Sequence, residues 1–443
     1  MIDVSIVLPT FNRVDVIGRA VASVLMQSHR DWELIVVDDG STDGTRARIE
    51  ALDPRIRYIE QSNQGVYVAR NTGLNAARGR LVTFMDSDDE WLPHFLALTT
   101  AFLNAHPDRH WVSTEFVEDL GDGSPPILHD RHDIGVLYDG FARAIRSRAL
   151  LLPTGVKDDY LRVYDRKRIV GAWGREIVES LGRPDAMVYE GELFRHMRWG
   201  YLNWLPVTVC RREALAQIGP FATHTRSAAD YHFLARLARE FPASMIAVPS
   251  AIKYERAAGN QVLAQAHLAT GSGAFRFEVN KLGFFDELYA GPACTDPETL
   301  RLRRHYCLAT GHRALGLGLR SEAVNYLQQA AAGQRGLWVA WPMLALARLA
   351  PSDAAAALLY GGWTRCADVL GRILAGRLTL PAATRKVLQR LRTGSAPAQA
   401  GRGGGRTVTD VALADLALHA PAACVVAQRP GGLVGERSSL PSA

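Results

Sequence analysis

The order of apolar segments in the first hundred residues narrows the possible folds more than any other feature of this chain. Val4 to Leu8, Leu34 to Val37, Ile56 to Ile59 and Leu81 to Met85 are short runs rich in Val and Ile and bounded by turn residues, as buried strands are. Between them, residues 14–27, 45–52 and 65–77 carry apolar side chains at helical spacing. The alternation β-α-β-α-β-α-β predicts an α/β fold with a Rossmann-like, mostly parallel sheet and helices on both faces. Ligands of such sheets sit outside the carboxyl ends of the strands, so the residues just after each strand are where chemistry is to be sought.

Each of those places is polar. The first strand runs into "PTFNR" (9–13), where Pro9 fixes the turn and Thr10 and Asn12 offer hydrogen bonds. The second runs into "DDGSTDGT" (38–45), in which Ser41 and Thr42 are also good helix caps. "NQGVYVARNTG" (63–73) sets Gln64 and Gly65 at a helix start with Arg70 further along, a residue that in isolation reads as a solvated helix charge. The fourth strand runs into Asp86, Ser87, Asp88 and Asp89. A cap explains one of these acids; a divalent cation carrying a diphosphate explains the set.

Taken in order, these segments resemble the family 2 glycosyltransferases of the GT-A fold, over roughly residues 2 to 256. The resemblance implies an inverting, metal-dependent sugar transfer from a nucleoside-diphosphate sugar, most simply a UDP-sugar, to a glycan or lipid-linked acceptor in cell-envelope polysaccharide synthesis. It implies that Pro9, Thr10, Asn12, Asp39, Arg70 and Asp86 bind the donor and that Asp88 coordinates Mg²⁺ or Mn²⁺. The family's catalytic base falls on Asp230, in "GPFATHTRSAADYHFLARLA" (219–238). Ala229 stands where the family has a first acid, and Ala257 where members often have a His. Glu190 and Glu192 in "YEGELF" are the next candidates for the base. As a purely structural residue, Asp230 would be an N-cap.

The rest of the chain divides by pattern. Residues 115–200 lose regular periodicity and are read as acceptor-side insertions, with 118–133 as loop and 137–152 as helix. Residues 203–256 return strands and a helix to the same domain. Residues 261–391 are helical in signal; Gly311, Ala323, Leu327 and Ala330 stand at tetratricopeptide offsets, but a single unit cannot bury its own face, so an ordinary helical appendage is the favoured reading. The apolar stretch 336–347 is too short to span a bilayer, which takes about 20 residues. Trp338, Trp341 and Trp363 with nearby arginines suggest peripheral membrane contact as the alternative to plain core packing. From Arg392 the Gly, Ser, Ala and Pro content predicts a disordered tail.

Composition removes other classes. Lys+Arg of 51 against Asp+Glu of 45 gives +6, carried mostly by scattered Arg, which argues against nucleic-acid binding. The 5 cysteines have no metal-ligand or disulfide-framework spacing, and the start lacks the basic region of a secretory signal, so a cytoplasmic setting, at most at the inner membrane face, is expected. A nucleotidyltransferase needs a Gly-rich basic loop after the first strand, and a dehydrogenase needs G-x-G-x-x-G after a strand; neither is present. A non-catalytic nucleotide-sugar-binding or scaffold protein acting through the helical half is the competing reading.

Overall fold

The computed structural model describes residues 2–53, 55–119, 121, 123, 126–129, 159–200, 202–254, 271–291, 293–332, 340–350 and 352–360. Its sheet is assembled from β1 (Val4–Thr10), β2 (Trp32–Asp38), β3 (Arg57–Glu60), β4 (Leu81–Phe84), β5 (Glu90–Trp91), β6 (Trp111–Asp119), β7 (Ile127–His129), β8 (Arg166–Ile169), β9 (Met187–Gly191), β10 (Thr208–Arg211) and β11 (Ala243–Tyr254). The main path runs β3-β2-β1-β4-β10-β6-β11-β9-β8. Its first four strands are parallel to one another, as the sequence alternation predicts. β10 enters antiparallel between β4 and β6, while β11 lies parallel to β6.

β1, β2 and β4 are buried on both faces, which is why they read as continuous apolar runs, while the edge strand β3 is only partly covered. Every residue of β1 is buried, and fully removing Ile6, Val7 and Leu8 from water contributes roughly 1.5–3 kcal/mol each. Three helices pack here: α1 (Ile17–Leu25), α2 (Thr45–Glu50) and α3 (Val66–Ala76). α1 buries Ile17, Ala20, Val21 and Val24, the one-face spacing of an amphipathic helix. α3 lies so close to the sheet that a Cβ on Gly73 would collide with Val7.

The sheet is continued by α4 (Phe95–Ala105), α5 (Arg175–Ser180), α6 (Phe194–Met197), α7 (Arg212–Ile218) and α8 (Ala229–Glu240). The span 118–133, read as loop, includes the end of β6 and the short strand β7, whose Phe116–His129 and Glu118–Ile127 partnerships form a hairpin. A three-residue strand has too little periodicity to announce itself. The helix expected over 137–152 lies outside the described residues.

Beyond β11 come α9 (Gly271–Leu288), α10 (Pro297–Gly316), α11 (Arg320–Ala331) and α12 (Ala340–Leu349). α10 and α11 pack against each other tightly at Gly311, where a Cβ would lie 2.8 Å from Leu327 Cγ. The sheet and these helices to Arg348 form one compact unit, Met1–Arg348. The second unit begins at Leu349, and its described part includes a helical stretch over 353–360. The tail from Arg392 lies outside the described residues, as do Trp338 and Trp363. No helix among the described residues is long and apolar enough to cross a membrane.

Candidate active site

The carboxyl ends of β1, β2 and β4 open onto one cleft, because three parallel strands in register must end on the same side. Its larger half is a cavity of about 700 Å³ lined by Pro9, Thr10, Phe11, Asp39, Asn63 and Gly65 together with residues of the 224–227 loop and of α9. Its smaller half, about 400 Å³, is lined by Tyr67, Arg70, Asp86, Asp88, Asp89 and Asp230.

In the larger half, Thr10 ends β1, inside the strand rather than after it, and Pro9 precedes it within the ladder. Thr10 lines this half, and its buried hydroxyl has no hydrogen-bond partner among the described residues. Asp39 follows β2 and is also buried. Its carboxylate accepts from Gln61 Nε2 at 2.7 Å, the Gln64 N–H at 2.9 Å and the Gly65 N–H at 2.7 Å. These bonds fix the start of α3 against the end of β2. Asn12, with φ of 51°, braces two loops instead: its N–H donates to Ser41 Oγ and its Oδ1 accepts from the Thr42 N–H, both at 2.8 Å. It is exposed and is not among the residues lining either half of the cleft.

In the smaller half, Arg70 is buried, so the reading of it as a solvated helix charge fails. Its Nη2 donates to Asp86 Oδ1 at 2.6 Å. Burial works against its charge, but Asp86 and Asp230 outweigh that and raise its pKa, so it stays a cation. Asp88 is buried, and among the described residues its ion-pair partner is Arg13, at 3.9 Å. Burial first, and then the Asp86 charge, push Asp88 up to about 6, with Arg13 and Arg19 pulling the other way. Burial and the Asp88 and Asp86 charges likewise push Asp89 well above the ordinary carboxylate range. Asp86 is paired with Arg70, whereas the repulsion on Asp88 and Asp89 is offset only in part by Arg13, Arg19 and Lys253.

That imbalance, in a set of oxygen donors facing a cleft, is what a hard divalent cation relieves, so the residues fit one. Among the described residues no three His, Cys, Asp or Glu side chains converge as a metal-holding group. A cation at Asp88 would take its remaining ligands from substrate oxygens and water.

Asp230 sits in the first turn of α8 at the position after Ala229. The N-cap is Ala228, at φ 64°, so the cap reading of Asp230 is displaced by two residues. Asp230 lines the smaller half, and its Oδ1 accepts from the Tyr67 hydroxyl at 3.2 Å. Neither alternative base lines the cleft. Glu190 is bound by Arg109 Nε at 2.9 Å and Arg168 Nε at 3.1 Å, whose hydrogen bonds overcome burial and hold its pKa low. Glu192 is exposed beside Asp165.

The site also contains residues that the sequence reading passed over. Tyr67 precedes Arg70 by three positions on one helix, a spacing that places both on the same face and was available as a signal. Arg13, Ser87 and Arg226 line both halves. Arg276 and Asn280 come from α9, where no local motif marks them.

The cleft thus lies at the carboxyl edge of a parallel half-sheet that is extended by an antiparallel strand and faced by an acidic helix start. Residues 5–167 match the family model "Glycosyl transferase family 2". TuaG of Bacillus subtilis (strain 168), a glycosyltransferase named for teichuronic acid biosynthesis, is 52% identical over 93 residues, 20% of this chain and 36% of TuaG. The Escherichia coli UDP-Glc:alpha-D-GlcNAc-diphosphoundecaprenol beta-1,3-glucosyltransferase WfgD is 39% identical over 102 residues, 23% of this chain and 40% of WfgD. The chain thus spans well under half of these two relatives. Among solved structures, S. aureus TarS 1-349 in complex with UDP-GlcNAc is 17% identical with a TM-score of 0.49, covering 82% of this chain and 92% of that one. Mannosyltransferase PcManGT from Pyrobaculum calidifontis, in complex with GDP-Man and Mn2+, is 21% identical with a TM-score of 0.41, covering 82% and 83%.

Proposed function

We propose that this chain transfers a sugar from a nucleoside-diphosphate sugar to an acceptor hydroxyl, with inversion at the anomeric carbon, during assembly of a cell-envelope glycan. The observation that carries this is the composition of the one cleft: a buried, unpartnered Thr10 hydroxyl beside Asp39 in one half, and an under-compensated set of acids with Asp230 in the other. The first half suits a nucleoside, which presents polar edges to Thr10 and Asp39. The second half suits the diphosphate, with Asp88 holding Mg²⁺ or Mn²⁺ and Asp86 reaching the ribose.

When bound, the cation supplies positive charge against the leaving diphosphate. The protein's own residues orient and deprotonate. Arg70 holds Asp86 in place through their 2.6 Å bond. Tyr67 holds the Asp230 carboxylate, which takes the proton of the acceptor hydroxyl as that oxygen attacks the anomeric carbon from the face opposite the diphosphate. The name of WfgD, with UDP-Glc as donor and a diphosphoundecaprenol acceptor, supports a UDP-sugar and a lipid-linked acceptor as the substrate classes. A peripheral contact with the inner membrane face would bring such an acceptor to the cleft.

The test is a panel of UDP-, GDP- and dTDP-sugars incubated with Mn²⁺, with nucleoside diphosphate release as the readout. One donor is expected to be consumed, and excess chelator should stop the reaction. A panel in which no donor is bound or consumed defeats the proposal and favours a scaffold role for the helical half.

A further inference from the structure

The two halves of the cleft share six lining residues: Pro9, Arg13, Val66, Ser87, Arg226 and Ser227. Anything that enters the larger half and reaches the acids of the smaller half must cross this junction. In a nucleoside-diphosphate sugar the group between nucleoside and sugar is the diphosphate. If the donor lies as proposed above, its diphosphate passes this junction into the smaller half; Arg13 and Arg226 border both halves, and Arg276 lines the larger half next to Phe277 of the smaller.

Arg13 is already turned toward Asp88. Arg226, in the loop before α8, and Arg276, on α9, are different. Both are exposed, both line the larger half, and neither makes a hydrogen bond or ion pair among the described residues. Two arginines left without partners on the wall of one cavity keep their N–H donors available to an anion. The supporting structure is firm. Asn280, one turn beyond Arg276, donates to Ser227 Oγ at 2.8 Å, which ties α9 to the loop that carries Arg226. A second tie joins α8 to α9 through His232 Nε2 and Glu287 Oε1 at 3.0 Å. Phe277 of α9 reaches the smaller half as well.

We propose that Arg226 and Arg276 form a diphosphate-binding pair, and that helix α9 is thereby a wall of the donor site rather than an appendage to it. The inference rests on the donor-binding reading of the cleft. Guanidinium groups present paired N–H donors to phosphate oxygens. Here they would offset charge that the four neighbouring carboxylates cannot, and would hold the diphosphate as it leaves.

The experiment is calorimetric titration of UDP, GDP and dTDP, each compared with its monophosphate and nucleoside, into the full chain with Mn²⁺. Wild type is measured beside Arg226→Ala, Arg276→Ala and the corresponding Lys variants. Both Ala variants are expected to melt with wild-type temperature, since both side chains are exposed, and to bind the preferred diphosphate roughly tenfold or more weakly. Nucleoside affinity should be unchanged, and Lys should restore part of the loss. Diphosphate affinity within twofold of wild type in both Ala variants, or an equal loss for the nucleoside, overturns the pair while leaving donor binding intact. Wild type that binds none of the three diphosphates overturns this inference and the donor reading together.

Discussion

The Tyr67 hydroxyl donates to Asp230 Oδ1 across 3.2 Å, linking the first turn of α3 to the first turn of α8 over a separation of 163 residues. α3 is itself fixed by Asp39 at its start, so the orientation of Asp230 is set from the parallel half of the sheet. Tyr67→Phe keeps the ring packed against Phe221 but removes this bond. With one hydrogen bond worth about 1–1.5 kcal/mol, kcat is expected to fall roughly tenfold while donor KM stays nearly constant. Steady-state kinetics with saturating acceptor checks it; an unchanged kcat would make Tyr67 a packing residue only.

Asp88→Asn separates cation binding from folding. Asp88 is buried beside two other acids, so neutralising it removes repulsion, and thermal stability is expected to hold or rise. Activity that depends on Mn²⁺ should nearly vanish. Full turnover in this variant, or wild-type turnover surviving excess chelator, removes the cation from the mechanism.

The parallel half of the fold was legible in the sequence because buried parallel strands are continuous apolar runs, and their register forces Thr10, Asp39 and Asp86 to one edge. Arg70 was harder to read, since its burial depends on Asp86 and Asp230, which are distant in sequence. Asn12 followed the motif into the site but braces loops at its border, a role set by its left-handed backbone. The contribution of α9 had no local signature: Arg276 and Asn280 matter only through where the chain returns after β11. Glu190 was a fallback candidate for the base, but Arg109 and Arg168, which bind it, lie elsewhere in the sequence.

Gly79 is predicted to be the least replaceable residue of the loop between α3 and β4. A Cβ there would lie 2.7 Å from the Ser5 N and 2.9 Å from the Asp3 O, both backbone atoms that cannot yield without moving β1. The Gly79 N–H also donates to Ser5 Oγ at 2.8 Å, and Ser5 in turn donates to Glu33 at 2.6 Å. Gly79→Ala is expected to cost about 2–3 kcal/mol in urea unfolding, in the range of overpacking a closed site. A loss below about 0.5 kcal/mol would mean that the strand and loop separate freely.

Acid stability should carry the mark of His196. Its Nε2 accepts from Arg195 Nε at 2.9 Å, and burial, followed by the Arg195 charge, pushes its pKa down to about 4. The unfolded chain's His titrates near 6.5, so between those values the unfolded state binds the extra proton. The stabilisation is fully present above about pH 6.5 and is lost as pH falls toward 4, by up to about 3 kcal/mol. His196→Gln keeps an acceptor for Arg195 without the titration, and its unfolding free energy should slope less steeply over that window. Parallel slopes for the two proteins would exclude His196 as the source.

Asp230→Asn distinguishes a base from a structural acid most directly. Ala228 is the N-cap of α8, and the backbone bond to the Asp230 side chain, from the Tyr231 N–H to Oδ1 at 3.1 Å, is one that Asn can also accept. Asn keeps an oxygen to accept from Tyr67, so the α3–α8 link survives. What it loses is the ability to take a proton from an acceptor hydroxyl, and a general base contributes about 10²-fold or more to rate. The variant is therefore expected to melt near the wild-type temperature, to bind the nucleotide sugar with unchanged affinity, and to transfer sugar at least about 10²-fold more slowly. Calorimetry and a transfer assay on the same preparation read both quantities. If transfer stays near normal with donor binding intact, Asp230 is not the base. The search then moves to the other cleft carboxylates, because Glu190 is committed to its arginines.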